Sequence, residues 1–190
     1  MTKRLVAVAV FLISFCSAVV PTEVWALTPA ESNKQITVLV FSSYSCPYCD
    51  KARPMLASIN AKYPGRVRII FKHFPMSSDE KSLLPHEAAE AAAAQGKFQA
   101  MHDALYDAGV AKQDRKAVEK IAQQLGLNMA SFRADLDKHL GRAHIEDDVA
   151  EAGALKVVAT PTFFIDGYKL EGLQLQETLE QLIEHQMAKK

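Results

Sequence analysis

Cysteine is scarce in this chain: 190 residues hold three, and only Cys46 and Cys49 lie close together. A zinc site built on one CxxC wants two further Cys or His ligands at paired spacing, and the remaining cysteine, Cys16, supplies no second pair. Net charge is missing as well, since 22 basic residues balance 22 acidic ones. That balance gives no electrostatic case for nucleic acid or for an anionic membrane surface. There is no internal repeat, and no low-complexity tract beyond the alanine-rich Ala88 to Ala94, which reads as helix. With 49% hydrophobic residues, the chain suffices for one domain with a substantial core and is too short for two large ones.

What is present begins with Lys3 and Arg4, followed by an apolar run from Leu5 to Val20, Pro21, and Val24-Trp25-Ala26. This order reads as a secretory signal peptide over residues 1–26, cut after Ala26. An uncleaved anchor is the rival reading, because the run falls only slightly short of a membrane span. Cys16 invites a lipoprotein reading, but the bulky Phe15 stands before it, so it is taken as an apolar filler of the leader. Trp25 goes with the leader. The exported chain then keeps two cysteines, both in one motif, in a compartment where disulfides form and persist. Residues 27–35 form a short polar lead.

The motif is Cys46-Pro47-Tyr48-Cys49, where the apolar run Ile36 to Phe41 ends and a helical pattern begins. Attack on a disulfide needs a thiolate, and the unpaired N–H groups at a helix N-terminus lower the pKa of a cysteine placed there. Cys46 is therefore the expected nucleophile. Cys49 lies one turn deeper on the same face, within reach of a mixed disulfide at Cys46, and is the expected resolving thiol. Pro47 suits the first helical turn, where its missing N–H loses no bond. A static structural disulfide is the bland alternative, but a bond across one turn closes a tiny loop and constrains the unfolded chain little.

Along the chain, Ile36 to Phe41 reads as a buried strand, and Met55, Leu56 and Ile59 continue the motif helix to Pro64-Gly65. A second strand covers Val67 to Phe74, giving a parallel crossover. From about residue 82 to 155 the pattern is helical: Leu84, Ala88 and Ala91; Phe98, Met101 and Leu105; Val118, Ile121 and Leu125; Phe132, Leu136 and Leu140. Gly109, Gly126 and Gly141, with Asp114 and Asn128 as caps, divide it into three or four helices. Thr162 to Ile165, Asp166-Gly167 and Tyr168 to Leu170 read as a hairpin. A final helix covers Leu173 to Met187, with Leu175, Leu179, Leu182 and Ile183 on one stripe. His73, His86 and His102 are expected at solvated or core-edge positions.

This α/β order, β-α-β, helical insert, β-β-α, with CxxC at the first strand-to-helix junction, resembles the thioredoxin fold. With the helical insertion at about 82–155 of a 36–188 domain, it is similar to the DsbA-like family of exported thiol-disulfide oxidoreductases. The resemblance rests on Ser45-Cys46-Pro47-Tyr48-Cys49, on Phe71-Lys72-His73-Phe74-Pro75, on Gln95-Gly96-Lys97-Phe98 leading to Met101-His102, and on Ala159 to Gly167. It implies a cis Thr160–Pro161 bond facing the motif, with the Thr160 backbone pairing an extended client peptide. It also implies thiol-containing exported proteins as substrates, a periplasmic location, and a membrane redox partner that resets the pair. No bound cofactor is needed, because the cysteines carry the electrons. Isomerases of the family add an N-terminal dimerisation domain, for which the lead between Ala26 and Ile36 leaves no room, so disulfide isomerisation is not expected. A monomer is expected. A reductase serving cytochrome or metal-site assembly is the rival within the same chemistry. A non-enzymatic CxxC module that binds metal or acts as a chaperone is the rival outside it.

Three departures matter. The family often carries a carboxylate where this chain has Val40, and an Asp where it has Ser43. The acid is thought to take the proton of the resolving thiol; Lys72 or water is the expected substitute. Most DsbA-type oxidases have His where Tyr48 stands, and Tyr cannot carry a positive charge. The Pro-Tyr dipeptide is similar to that of glutaredoxins, at about −200 to −230 mV, against about −120 mV for DsbA, so an intermediate potential is expected.

Overall fold

The computed structural model describes residues 35–109 and 113–189. The leader, its cut after Ala26, Cys16, Trp25 and nearly all of the 27–35 lead lie outside the described residues. β1 (Ile36–Ser42), α1 (Pro47–Lys62) and β2 (Val67–His73) come first. Five helices follow: α2 (Glu80–Ala93), α3 (Phe98–Ala108), α4 (Arg115–Gln124), α5 (Met129–Asp137) and α6 (Arg142–Ala154). β3 (Thr162–Ile165), β4 (Tyr168–Glu171) and α7 (Gln176–Ala188) close the chain. The element order is the one the resemblance implied.

The sheet order is β2-β1-β3-β4. β1 and β2 run parallel, with Ile36 beside Val67 and Ser42 beside His73, while β3 runs antiparallel to β1, with Val40 beside Phe163. The β-branched and aromatic residues of β1 and β3 suit a strand covered on both faces. On one face Val38, Val40, Phe163 and Ile165 pack with Met55 and Ile59 of α1 and Leu179 and Ile183 of α7. On the other, Phe41 and Phe164 pack with Ala152 of α6 and with Val157. Helices α2 to α5 form a third core of their own, which Tyr44, Cys46 and Cys49 join. The CxxC therefore lies at the seam between sheet and helical insert.

Side-chain caps set several helix starts. Asp79, Asp114 and Asn128 each accept the backbone N–H three residues on, from Ser82, Ala117 and Ser131. Among the described residues the insert contains five helices rather than three or four. The unexpected break is at Gly96, whose φ of +71° ends α2 with bonds back to the carbonyls of Ala92 and Ala93. Two stripe assignments also fail. Leu175 caps α7 and is 72% exposed, and Leu140 lies beyond the end of α5 and is exposed. Both sit where the helical period no longer holds. The Asp166-Gly167 turn joins β3 to β4 with positive φ at both residues, as a tight hairpin requires.

Candidate active site

Cys46 is the N-cap of α1 and Pro47 its first residue. The Cys46 carbonyl accepts the N–H groups of Cys49 and Asp50, which sets the motif into the first turn. Both cysteines are free thiols. Cys46 is 6% exposed and Cys49, at 2%, lies deeper in the seam. Pro47 and Tyr48 are exposed, and Lys51 Nζ lies 5.6 Å from the centre of the Tyr48 ring.

The two sulfurs ionise in opposite directions. Burial pushes the Cys46 thiol up, but hydrogen bonding from Thr160, from the Cys49 thiol and from the backbone N–H groups of Cys49 and Tyr48 outweighs it, leaving Cys46 below the usual thiol value. Burial pushes Cys49 up to about 11, against weaker help from Ser42 and the Ser43 backbone. One sulfur is thus the readier thiolate, and the other holds its proton.

The Thr160–Pro161 bond is cis. It places the Thr160 carbonyl 3.4 Å from Cys46 Sγ, across 114 positions of sequence. Pro161 is buried, while Thr160 is half-buried and sets its hydroxyl 3.9 Å from the sulfur of exposed Met76.

Beneath the motif is a cleft of about 670 Å³ lined by, among others, Val40, Ser42, Cys49, Arg53, His102 and Tyr106. Val40 faces it with no carboxylate to offer, and Lys72 does not substitute. Lys72 pairs with Phe41 in the β1–β2 register, on the sheet face opposite Val40, and is held by Asp148 at 2.7 Å and Glu151 at 2.8 Å. Burial lowers its pKa, but those two hydrogen bonds outweigh it and keep the ammonium above its usual range. The polar groups beside Cys49 come instead from β1 and α3, with Arg53 of α1 farther along the cleft. Ser42 Oγ lies 2.9 Å from Tyr106 Oη, which also donates to the Ser43 carbonyl at 3.2 Å. Ser43 Oγ accepts the Ser45 N–H, so it serves the turn.

Two of the three histidines depart from expectation. His73 and His86 are fully buried, whereas His102 is half-buried at the core edge, as expected, and bonds Tyr44 Oη at 3.0 Å within a cluster of rings. Burial lowers the His102 pKa to about 4 and drives that of His86 well down, so both are neutral near pH 7. Ser42, Tyr106 and His102 were not singled out as site groups from sequence. Phe98, His102 and Tyr106 recur every four residues along α3, a signal hidden beside the apolar stripe of Met101 and Leu105.

Comparison with known proteins agrees with this architecture. The family model described as Thioredoxin matches residues 31–185. The chain belongs to the thioredoxin family. A thioredoxin-like oxidoreductase from Silicibacter pomeroyi superposes with a TM-score of 0.72 at 28% identity, covering 82% of this chain and 88% of that one. The α-DsbA1 of Wolbachia pipientis gives 0.71 at 21% identity, covering 83% and 88%, so the fold is that of DsbA-type thiol-disulfide oxidoreductases. In sequence, the chain is 36% identical over 141 residues to the Na(+)/H(+) antiporter NhaA 3 of Salinispora tropica. That match covers 72% of this chain but spans only 21% of the antiporter. Among the described residues no helix is long and apolar enough to cross a membrane.

Proposed function

We propose that this chain is an exported thiol-disulfide oxidoreductase that exchanges disulfides with envelope or secreted proteins through Cys46 and Cys49. The observation that carries the reading is the opposite ionisation of two sulfurs one turn apart at the start of α1. In the oxidising direction a client thiolate attacks Cys46 Sγ of the Cys46–Cys49 disulfide. The S–S bond breaks, its electron pair leaves on Cys49, and a client–Cys46 mixed disulfide forms. A second client thiolate then attacks the client sulfur and releases Cys46 as thiolate. Two electrons and one proton, which goes to Cys49, enter the pair, and a membrane redox partner removes them.

Ser42 is the group we place in the path of that proton, since its hydroxyl neighbours Cys49 and opens onto the cleft. Thr160 offers its backbone to an extended client, and exposed Tyr48 and Met76 give apolar surface on either side. The electrons reside in the cysteine pair, so the reading invokes no cofactor. We place the protein in the periplasm as a monomer, with a potential between about −120 and −230 mV.

The test is Cys49→Ala expressed in the envelope. We expect covalent complexes through Cys46, released by reductant and absent from the Cys46→Ala chain. Exported proteins rich in cysteine would mark an oxidase, whereas dedicated cytochrome or metal-site assembly factors would mark a reductase. Dithiol turnover by Cys46→Ala at the parental rate would sink the proposal.

A further inference from the structure

We propose that this chain carries a second site, separate from its cysteines, that binds one divalent transition-metal ion of the zinc class through His73, Glu90 and His144. The three residues come from β2, α2 and α6. His73 Nε2 lies 2.9 Å from Glu90 Oε1, and His144 Nδ1 lies 2.9 Å from Glu90 Oε2. All three ligand atoms fall within 4.8 Å of one another. Donors bound to zinc at about 2.0–2.2 Å sit roughly 3 to 3.6 Å apart, so a small turn of the His144 ring brings the set to bonding geometry.

The donor chemistry selects the ion. Two imidazole nitrogens and one carboxylate suit zinc, copper or nickel, whereas calcium and magnesium want a shell of oxygens. One outer nitrogen is also provided for. His73 Nδ1 is 2.8 Å from His86 Nδ1, while His144 Nε2 stands 4.0 Å from Asp148 Oδ1, beyond hydrogen-bond distance, on a ring that is exposed. A ligating histidine keeps its proton on the far nitrogen, held by a neighbouring group or by water. With no ion bound, the two ligand nitrogens donate to Glu90. On binding, each proton moves to the far nitrogen of its own ring, and His73 then donates to His86. His86 Nε2 has no hydrogen-bond partner among the described residues, so His86 changes tautomer without losing a bond.

Access and charge favour the same cluster. His73 is buried, Glu90 half-buried and His144 56% exposed at its side chain, so an ion enters from the His144 side and keeps a position for water. Lys72, the neighbouring cation, is already neutralised by Asp148 and Glu151. The other grouping of this kind, Glu80, Glu87 and His139, has its charge satisfied by Arg142, whose guanidinium reaches Glu87 at 2.7 Å and Glu80 at 3.1 Å. Among the described residues no arginine or lysine pairs with Glu90 in the first cluster.

The experiment uses the whole chain with Cys46→Ser and Cys49→Ser, which removes thiolate ligands, titrated with Zn²⁺ against a chromophoric chelator. We expect one Zn²⁺ per chain, and at least about a tenfold loss of affinity on adding His144→Ala. His144 is exposed, so that variant should melt like its parent in chelator. Zn²⁺ should raise the melting temperature of the parent and not of the variant. No uptake by the double-serine chain, or uptake that His144→Ala leaves unchanged, overturns the site. Because the cysteines are absent throughout, either result leaves the dithiol-exchange reading as it stands.

Discussion

Replacing Tyr48 with His should make the Cys46–Cys49 disulfide more oxidising, by an amount the geometry bounds. Tyr48 is 56% exposed in the first turn of α1, two residues after the sulfur that ionises. A full positive charge about 6 Å from that sulfur, at an effective dielectric of about 40 for a half-solvated site, favours the thiolate by about 1.4 kcal/mol. That is about one pKa unit, or about 30 mV for a two-electron couple whose reduced form is the thiolate. Lys51 Nζ lies 5.6 Å from the ring centre and opposes protonation of an imidazole there. An exposed imidazole with a free pKa of about 6.5 is also only partly protonated at pH 7, so the expected shift is about 10 to 20 mV, well short of the gap of about 100 mV between glutaredoxin-like and DsbA-like potentials. Equilibration with glutathione reads the potential, and the ultraviolet absorbance of the thiolate against pH reads the Cys46 pKa. The two should move together. An unchanged or more negative potential, or a lower pKa with no change in potential, would refute the electrostatic argument.

Three further predictions concern the seam and the helical insert. Tyr106→Phe removes the hydroxyl shared by Ser42 Oγ and the Ser43 carbonyl; the carbonyl keeps the Cys46 N–H at 3.1 Å, so the loss falls mainly on the buried Ser42 hydroxyl. The cost should be about 1–3 kcal/mol, seen calorimetrically as a melting temperature lower by about 3 to 9 °C. Acid should weaken the fold through His102, which faces Tyr44, Asp103, Arg53 and His73 and whose pKa falls from 6.5 free to about 4 folded. Above the free value both states are neutral and nothing is contributed. As pH falls below it the unfolded chain takes up a proton first, costing about 2 kcal/mol by about pH 5. His86 adds in the same direction, and exposed His144, raised by its bond to Glu90, opposes weakly. Denaturant midpoints should thus fall more from pH 7 to 5 in the parent than in His102→Gln; equal falls would count against this assignment. Gly141→Ala would set a Cβ 2.5 Å from Glu90 Cβ, where α6 starts against α2. It should cost about 1–3 kcal/mol by chemical denaturation, and a neutral result would show that α6 can slide.

What could be read from the chain alone is local. CxxC after a β-branched run, Asp114 and Asn128 three residues before the N–H they cap, and Asp-Gly between two strands each depend on neighbours within a turn of helix or hairpin. Short-range sterics and hydrogen bonding act there whatever the remainder does, so element order and the placing of the sulfur pair at the start of α1 were legible. Tertiary structure decided the rest. Lys72 turned to Asp148 across 76 positions, Ser42 met Tyr106 across 64, and Glu90 reached His73 and His144 on two other elements. No periodicity announces such pairs. A polar side chain leaving water takes whichever partner the packed fold brings within hydrogen-bonding distance, and that partner exists only once sheet and insert have closed on each other.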